Sequence, residues 1–76
     1  MKKVRIKLGD HLTALNMQQK EFAAIAGMRR ATISHLVLNK YDRLHLPHLV
    51  RIMDVLGTTD FNDILELVEE KEENNT

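Results

Sequence analysis

The chain lacks cysteine altogether and holds only three glycines and one proline among its 76 residues. Without a thiol there is no disulfide framework, no cysteine nucleophile and no cysteine-ligated zinc site, which fits a reducing compartment. The glycines are scattered, so no glycine-rich loop can cradle a phosphate. The opening MKKVRIKLGDH is basic, but no uninterrupted apolar stretch follows it, so neither a signal peptide nor a membrane span is indicated. We therefore expect a cytoplasmic protein without a membrane partner.

Residues suited to catalysis or metal binding are sparse. Ser34 and His35 are neighbours on a predicted helix and point apart, so they cannot form a nucleophilic relay. His45 and His48 lie three residues apart without further placed ligands, and such pairs rarely hold a metal. A chain of 76 residues forms one domain with a small core, which disfavours an enzyme with its own deep pocket. We expect no enzymatic activity, no cofactor and no metal.

The net charge of zero conceals a division along the chain. Residues 1–57 carry ten Lys or Arg against four Asp or Glu, a net charge of +6, and residues 58–76 carry one base against seven acids, a net charge of −6. This asymmetry favours a body that meets a polyanion and an acidic tail that stays clear of it or shields the body. A soluble domain with a solvated tail is the alternative.

The spacing of apolar and helix-ending residues predicts a mostly helical domain. Val4, Ile6 and Leu8 alternate with basic residues, which indicates either a short N-terminal strand or a basic arm. Five helices are then predicted, at about residues 10–16, 18–26, 30–38, 46–56 and 60–68. Asn16, Gly27 and Gly57 are expected to end the first, second and fourth of them. The side chains expected to face the core are Leu12, Leu15, Met17, Phe22, Ala23, Ile25, Ala26, Met28, Ile33, Leu36, Val37, Leu46, Leu49, Ile52, Met53 and Leu56. The apolar residues of the last predicted helix are Phe61, Ile64, Leu65 and Val68. No apolar residue follows, so EEKEENNT, residues 69–76, should be a disordered acidic tail.

The third predicted helix has two contrasting faces. Ile33, Leu36 and Val37 fall at i, i+3 and i+4 and form its apolar stripe. Arg29 and Arg30 stand at its N-terminal tip. The outward face carries Ala31, Ser34, His35 and Leu38. Because this face is mostly small or polar and has no acid, it can approach another surface closely.

Four residues in and around the connection between the second and third helices have a characteristic spacing. Ala23, Gly27, Ile33 and Leu36 stand four, six and three residues apart. The small alanine suits a helix crossing, the glycine a tight turn, and the two apolar residues lock the following helix onto the core. With these residues, QQKEFAAIAGMRRATISHL resembles the helix-turn-helix of the Cro and lambda-repressor type (XRE-like) of DNA-binding regulators. The resemblance implies an all-α, compact five-helix domain over residues 1–68, with the helix-turn-helix at about 18–38.

The resemblance also implies roles for individual residues. Positions that face base edges in the major groove correspond to Arg29, Arg30, Ala31 and His35, with Ser34 beside them. Phosphate-binding positions correspond to Gln19, Thr32, Lys40, Tyr41 and Arg43. Arg30 is the strongest candidate, because a guanidinium can pair with both acceptors of a guanine and discriminate by about 1–3 kcal/mol against a wrong base. A phosphate contact or a solvated side chain is the alternative for Arg30.

The sequence departs from the family pattern at the helix ends. Gln18 and Arg29 stand where the family usually places Ser or Thr as caps, so weaker caps are expected. Leu38 and Asn39 replace the common Asn-Gly after the third helix, which puts one backbone contact in doubt. Asn39 nevertheless suits a left-handed helix end.

These features predict a sequence-specific transcriptional regulator, a repressor that occludes an operator in double-stranded DNA. One such module reads few base pairs, so a palindromic operator and a homodimer are expected. Candidate dimer surfaces are the Val4-Ile6-Leu8 stretch and the apolar residues Phe61, Leu65 and Val68, and completion of the monomer's own core is the alternative for both. The alternative is the antitoxin of a toxin–antitoxin pair, whose acidic segment, residues 66–73, grips a basic protein partner while the module represses its own operon.

Overall fold

The computed structural model describes residues 1–69, in which two short strands flank four α-helices. The order of elements is β1 (Lys2–Ile6), α1 (Leu8–Leu15), α2 (Gln19–Ala26), α3 (Arg30–Val37), α4 (Leu46–Leu56), a single 3₁₀ turn (Phe61–Asp63) and β2 (Leu65–Glu69). β1 and β2 pair antiparallel, with Val4 opposite Leu67 and Arg5 opposite Glu66. None of the helices in these 69 residues is both long and apolar enough to cross a membrane.

Three helices end at the asparagine or glycine residues that favour helix termination. Asn16, Gly27 and Gly57 end α1, α2 and α4 in the left-handed region, with φ of 54°, 66° and 74°. These three endings were predicted from residues that tolerate positive φ. The short N-terminal strand is confirmed as β1, and α1 begins slightly earlier than predicted, at the fully buried Leu8.

The predicted fifth helix is wrong, because residues 60–68 form the 3₁₀ turn and most of β2. The Asp60 side chain accepts a hydrogen bond from the Asn62 amide at 2.9 Å, which favours a single tight turn. After Ile64, which is fully buried, the segment LELVE forms β2 and pairs with β1. Its apolar residues fit either period, so the unpaired edge of β1 decides for a strand. The domain is therefore mostly helical with a two-stranded sheet rather than all-α.

Opposite charges meet across this sheet. Arg5 Nη1 donates to Glu66 Oε2 at 2.6 Å, and Arg5 Nη2 lies 3.3 Å from Asp10 Oδ2. The hydrogen bond to Glu66 is the largest cause that raises the pKa of Arg5, followed by the hydrogen bond to Asp10. Glu69, the first residue of the predicted tail, is the last residue of β2, and residues 70–76 of that tail lie outside the described residues.

Twelve hydrophobic side chains of residues 1–69 are buried in one core. They are Ile6, Leu8, Leu12, Phe22, Ala23, Ala26, Ile33, Leu36, Leu49, Ile52, Met53 and Ile64. Met17, Met28, Val37, Leu56 and Leu65 are partly buried against them. All four helices and both sides of the helix-turn-helix therefore share one apolar interior.

Three side chains predicted to face the core, Leu15, Ile25 and Leu46, are exposed by 54–65 %, and so is Phe61 of the last predicted helix. Leu15 is the last residue of α1 and Leu46 the first of α4, so both lie at the ends of their packed stripes. Ile25 lies roughly 100° around α2 from the centre of the buried stripe. Phe61 belongs to the 3₁₀ turn, where helical periodicity does not apply.

Candidate nucleic-acid interface

The turn between α2 and α3 is short and closed by backbone hydrogen bonds. The Gly27 amide donates to Ala24 O at 3.3 Å, and the Met28 amide donates to Ala23 O at 2.9 Å. The amides of the two residues that follow α2 thus donate hydrogen bonds to carbonyls near its end, and the left-handed conformation of Gly27 changes the direction of the chain. α3 starts at Arg30, two residues after Met28, so its direction relative to α2 is fixed by this turn.

The apolar stripe of α3 holds it against the body of the domain. Ile33 is fully buried and Leu36 is nearly so, whereas Val37 is half-buried. The small side chain of Ala23 on α2 is buried as well. This packing leaves the opposite side of α3 facing solvent.

The predicted base-reading residues occupy that solvent side. Arg29, Arg30, Ala31 and His35 are exposed, and Ser34 is half-buried between them and the core. The structure thus brings all five together over the first two turns of α3. Their positions form one outward surface of a rigid helix, which is the arrangement that a base-reading helix needs.

The two arginines at the tip of α3 keep their charge unneutralised within the described part of the chain. Neither Arg29 nor Arg30 forms an ion pair among residues 1–69, whereas Arg5 is paired with Glu66 and Asp10. The first turn of α3 contains no acid. The guanidinium groups are therefore available for an anionic or hydrogen-bond-accepting ligand.

The predicted phosphate-binding residues lie at three places: the start of α2, α3 itself and the loop that follows α3. Gln19, the first residue of α2, lines one surface groove together with Arg30 and Lys20. Lys40 and Arg43 are exposed in the loop that follows α3. The remaining two, Thr32 on α3 and Tyr41 in the loop, are half-buried.

Tyr41 has a partner inside the fold. Its hydroxyl lies 3.0 Å from Asn39 Oδ1 and donates to it, and burial is the largest cause that raises the pKa of this phenol. A contact between this hydroxyl and a phosphate would therefore require the bond to Asn39 to break.

The helix caps differ from the Ser or Thr caps that the resemblance implies. At the start of α2, Glu21 Oε1 accepts a hydrogen bond from the Gln18 amide at 2.8 Å, so a carboxylate stabilises this helix end. At the start of α3, the Arg29 side chain makes no capping hydrogen bond. The Arg29 side chain is accordingly free to extend beyond the helix.

Sequence reasoning missed a role for Arg51 of α4. Its Nη1 donates to Ala26 O at 2.8 Å, at the C-terminal end of α2. A Cβ on Gly27 would lie 3.2 Å from the same nitrogen. Arg51 therefore ties α4 to the turn, and no local sequence pattern signals this because the two groups are 25 residues apart.

A second groove beside the turn is lined by basic and polar groups. It is formed by Gly27, Met28, Arg29, Thr32, Pro47, His48 and Arg51. Burial lowers the pKa of His48, and the positive charges of His45 and Arg51 lower it further. The His45 and His48 rings contact each other edge to face, with centroids 4.4 Å apart. Residues 1–69 contain no group of three metal-ligating side chains close enough to share an ion.

Asn39 is the second residue whose role the sequence did not reveal. Its Oδ1 accepts from the Ile6 amide at 2.7 Å, and its Nδ2 donates to Ile6 O at 3.2 Å. The residue adopts a φ of 57°, as predicted for a left-handed helix end. Its side chain thereby connects the segment after α3 to β1, 33 residues earlier in the chain.

The hydrogen-bonded turn between α2 and α3, together with the exposed side of α3 and the arginines at its N-terminus, defines a helix-turn-helix protein. Residues 7–70 match the family of Cro/C1-type HTH DNA-binding domains. Because this match covers most of the 76 residues, the chain belongs to that family. The resemblance seen in Ala23, Gly27, Ile33 and Leu36 is thus confirmed. No curated protein and no solved structure matches the chain significantly.

Proposed function

We propose that this protein is a sequence-specific transcriptional repressor that inserts α3 into the major groove of an operator. The observation that carries the proposal is the solvent side of α3, where Arg29, Arg30 and His35 are exposed while Ile33 and Leu36 hold the opposite side in the core. A rigid helix with an acid-free, basic tip suits the negative groove of a duplex. Bound there, the domain represses transcription by blocking access of the polymerase to the promoter.

Arg30 is proposed as the main base-reading residue. It is the first residue of α3, is exposed and has no ion-pair partner among residues 1–69. A guanidinium in this position can donate to O6 and N7 of a guanine in the major groove. Ala31 and Ser34 allow close approach of the helix, and His35, one turn further on, can donate to a base or a phosphate.

Gln19, Thr32, Lys40 and Arg43 are proposed to contact phosphates on either side of the groove, with Tyr41 beside them. Such contacts fix the register of the helix on the duplex without reading sequence. Each charged contact adds to the salt dependence of binding, because it releases counterions from the DNA.

Binding as a homodimer is proposed because one module reads too few base pairs for useful specificity. Ile6 and Leu8 of the suggested Val4-Ile6-Leu8 surface are buried in the domain's own core, so these two are unavailable to a second copy. Val4 and its cross-strand neighbour Leu67 are exposed, as is Phe61. These exposed apolar side chains support the outer part of the sheet as the dimer surface.

The antitoxin alternative receives less support from the described residues. Its proposed partner-binding segment begins at Glu66, and the carboxylate of Glu66 already forms an ion pair with Arg5 of β1. We therefore favour a regulator that acts through DNA, and we propose no enzymatic role.

Selection of bound duplexes from a random DNA pool tests the proposal, and a palindromic consensus is the expected result. Arg30→Ala should then weaken binding to the selected duplex by about 1–3 kcal/mol and relax the preference at one base pair per half-site. Arg43→Ala serves as the matched control, since loss of a phosphate contact should weaken binding to all sequences alike and reduce its salt dependence. Unchanged affinity and preference in Arg30→Ala would refute the assignment of the reading residue.

A further inference from the structure

The side-chain amide of Asn39 forms the two hydrogen bonds to the Ile6 backbone that a neighbouring β-strand would form. It accepts from the Ile6 amide at 2.7 Å and donates to the Ile6 carbonyl at 3.2 Å, so both backbone groups of one β1 residue are satisfied by one side chain. Tyr41 donates to the same Oδ1 at 3.0 Å. Three hydrogen bonds therefore converge on this amide.

Asn39 is also fastened directly to the end of α3. Its own amide donates to Leu36 O at 3.2 Å, and the next amide, of Lys40, donates to His35 O at 2.8 Å. Asn39 thus forms hydrogen bonds both to the last turn of the proposed reading helix and to the first strand. A displacement of Asn39 would be passed directly to the turn that carries His35.

We propose that Asn39 is a positioning residue that holds α3 at a fixed angle to the sheet and thereby sets which base pairs its exposed side chains reach. The inference rests on the proposed function of α3 as a reading helix. It assigns part of the specificity to a residue that is itself half-buried and packs against β1 rather than DNA.

Asparagine is suited to this position by two properties at once. It tolerates the left-handed backbone, here with φ of 57°, more readily than most residues other than glycine. Its amide also offers a donor and an acceptor on one rigid group, which the Ile6 backbone requires. Glycine would keep the backbone and lose all side-chain bonds, whereas aspartate would keep the acceptor and lose the donor.

These differences define the test, which compares Asn39→Gly and Asn39→Asp with the wild-type chain. Each is titrated with the selected duplex and with duplexes changed at single base pairs, well below its melting temperature. Asn39→Gly should bind the selected duplex about tenfold more weakly and should lose a comparable part of its preference over the changed duplexes. Asn39→Asp should fall between the two. A residue that only stabilised the fold would lower the melting temperature and leave the preference of the folded protein unchanged.

Hydrogen exchange of the Ile6 amide provides a readout that does not involve DNA. It should accelerate in Asn39→Gly and stay unchanged in Asn16→Gly, the matched control, because Asn16 is also left-handed, with φ of 54°, but makes no side-chain hydrogen bond within residues 1–69. Wild-type preference in both folded Asn39 variants would overturn the positioning role alone. Failure of the wild-type chain to select any duplex would instead overturn the proposed function on which it rests.

Discussion

Gly27→Ala tests the geometry of the helix-turn-helix turn. Gly27 has φ of 66°, and a Cβ there would lie 3.2 Å from Arg51 Nη1, which donates to Ala26 O at 2.8 Å. The substitution therefore reduces the free energy of unfolding in two ways, and the two effects add. A left-handed alanine costs about 1–2 kcal/mol, and displacement of the arginine from its carbonyl costs about 0.5–1.5 kcal/mol more. The expected loss of unfolding free energy is thus about 1.5–3.5 kcal/mol.

Gly57→Ala is the matched control for this substitution. Gly57 has a similar φ of 74°, but a Cβ there would meet no atom within 4 Å. It should therefore show only the backbone cost, about 1–2 kcal/mol. The difference between the two variants isolates the contact with Arg51.

Urea denaturation monitored by circular dichroism measures both variants, alone and in an Arg51→Met background. In that background the extra cost of Gly27→Ala should disappear, because the hydrogen bond to Ala26 O is already absent. The reasoning is refuted if Gly27→Ala proves no more destabilising than Gly57→Ala, or if its extra cost persists without the arginine.

Two further predictions concern pH. Burial raises the pKa of Tyr41 above its ordinary value of 10.0, so the neutral phenol stabilises the folded state below pH 10 and this contribution is lost as pH rises through the folded pKa. Since Tyr41 is the only tyrosine and there is no tryptophan, a tyrosinate absorbance titration reports it directly, and a midpoint at or below 10.0 would contradict the burial. The pKa of His48 lies below 6.5, first because of burial, so its contribution is present above pH 6.5 and is lost as pH falls through the folded pKa. An NMR titration should place the His48 midpoint below 6.5 and move it upward in Arg51→Met; no such movement would contradict the charge contribution of Arg51.

Local signals in the sequence predicted the helical part of the fold well. The left-handed ends at Asn16, Gly27 and Gly57 and the two faces of α3 depend on φ preferences and on spacing within one helix, and both can be read from short windows. The segment ending in LELVE could not be resolved in this way, because its apolar residues fit a helix and a strand equally. Its conformation depends on β1, about 60 residues away.

The missed contributors to the site share the same cause. Arg51 and Asn39 act through hydrogen bonds to Ala26 and Ile6, across 25 and 33 residues of chain. The sequence shows only an arginine on an apolar helix and an asparagine after another helix, and neither residue type indicates a distant backbone partner. The exposed residues of α3 could be predicted because they are neighbours on one helix. Their contacts with DNA stay a prediction.

The pairing of β1 with β2 has a consequence for how the chain folds. The sheet joins residues 2–6 to residues 65–69, so its formation requires closure of a loop that contains all four α-helices of the described part of the chain. Closing so long a loop is entropically unfavourable until other contacts have shortened it, and a two-stranded sheet is only marginally stable alone. The helices should therefore collapse first and the strands join last. The hydrogen bonds between Asn39, at the end of α3, and β1 would then form only in the last step of folding.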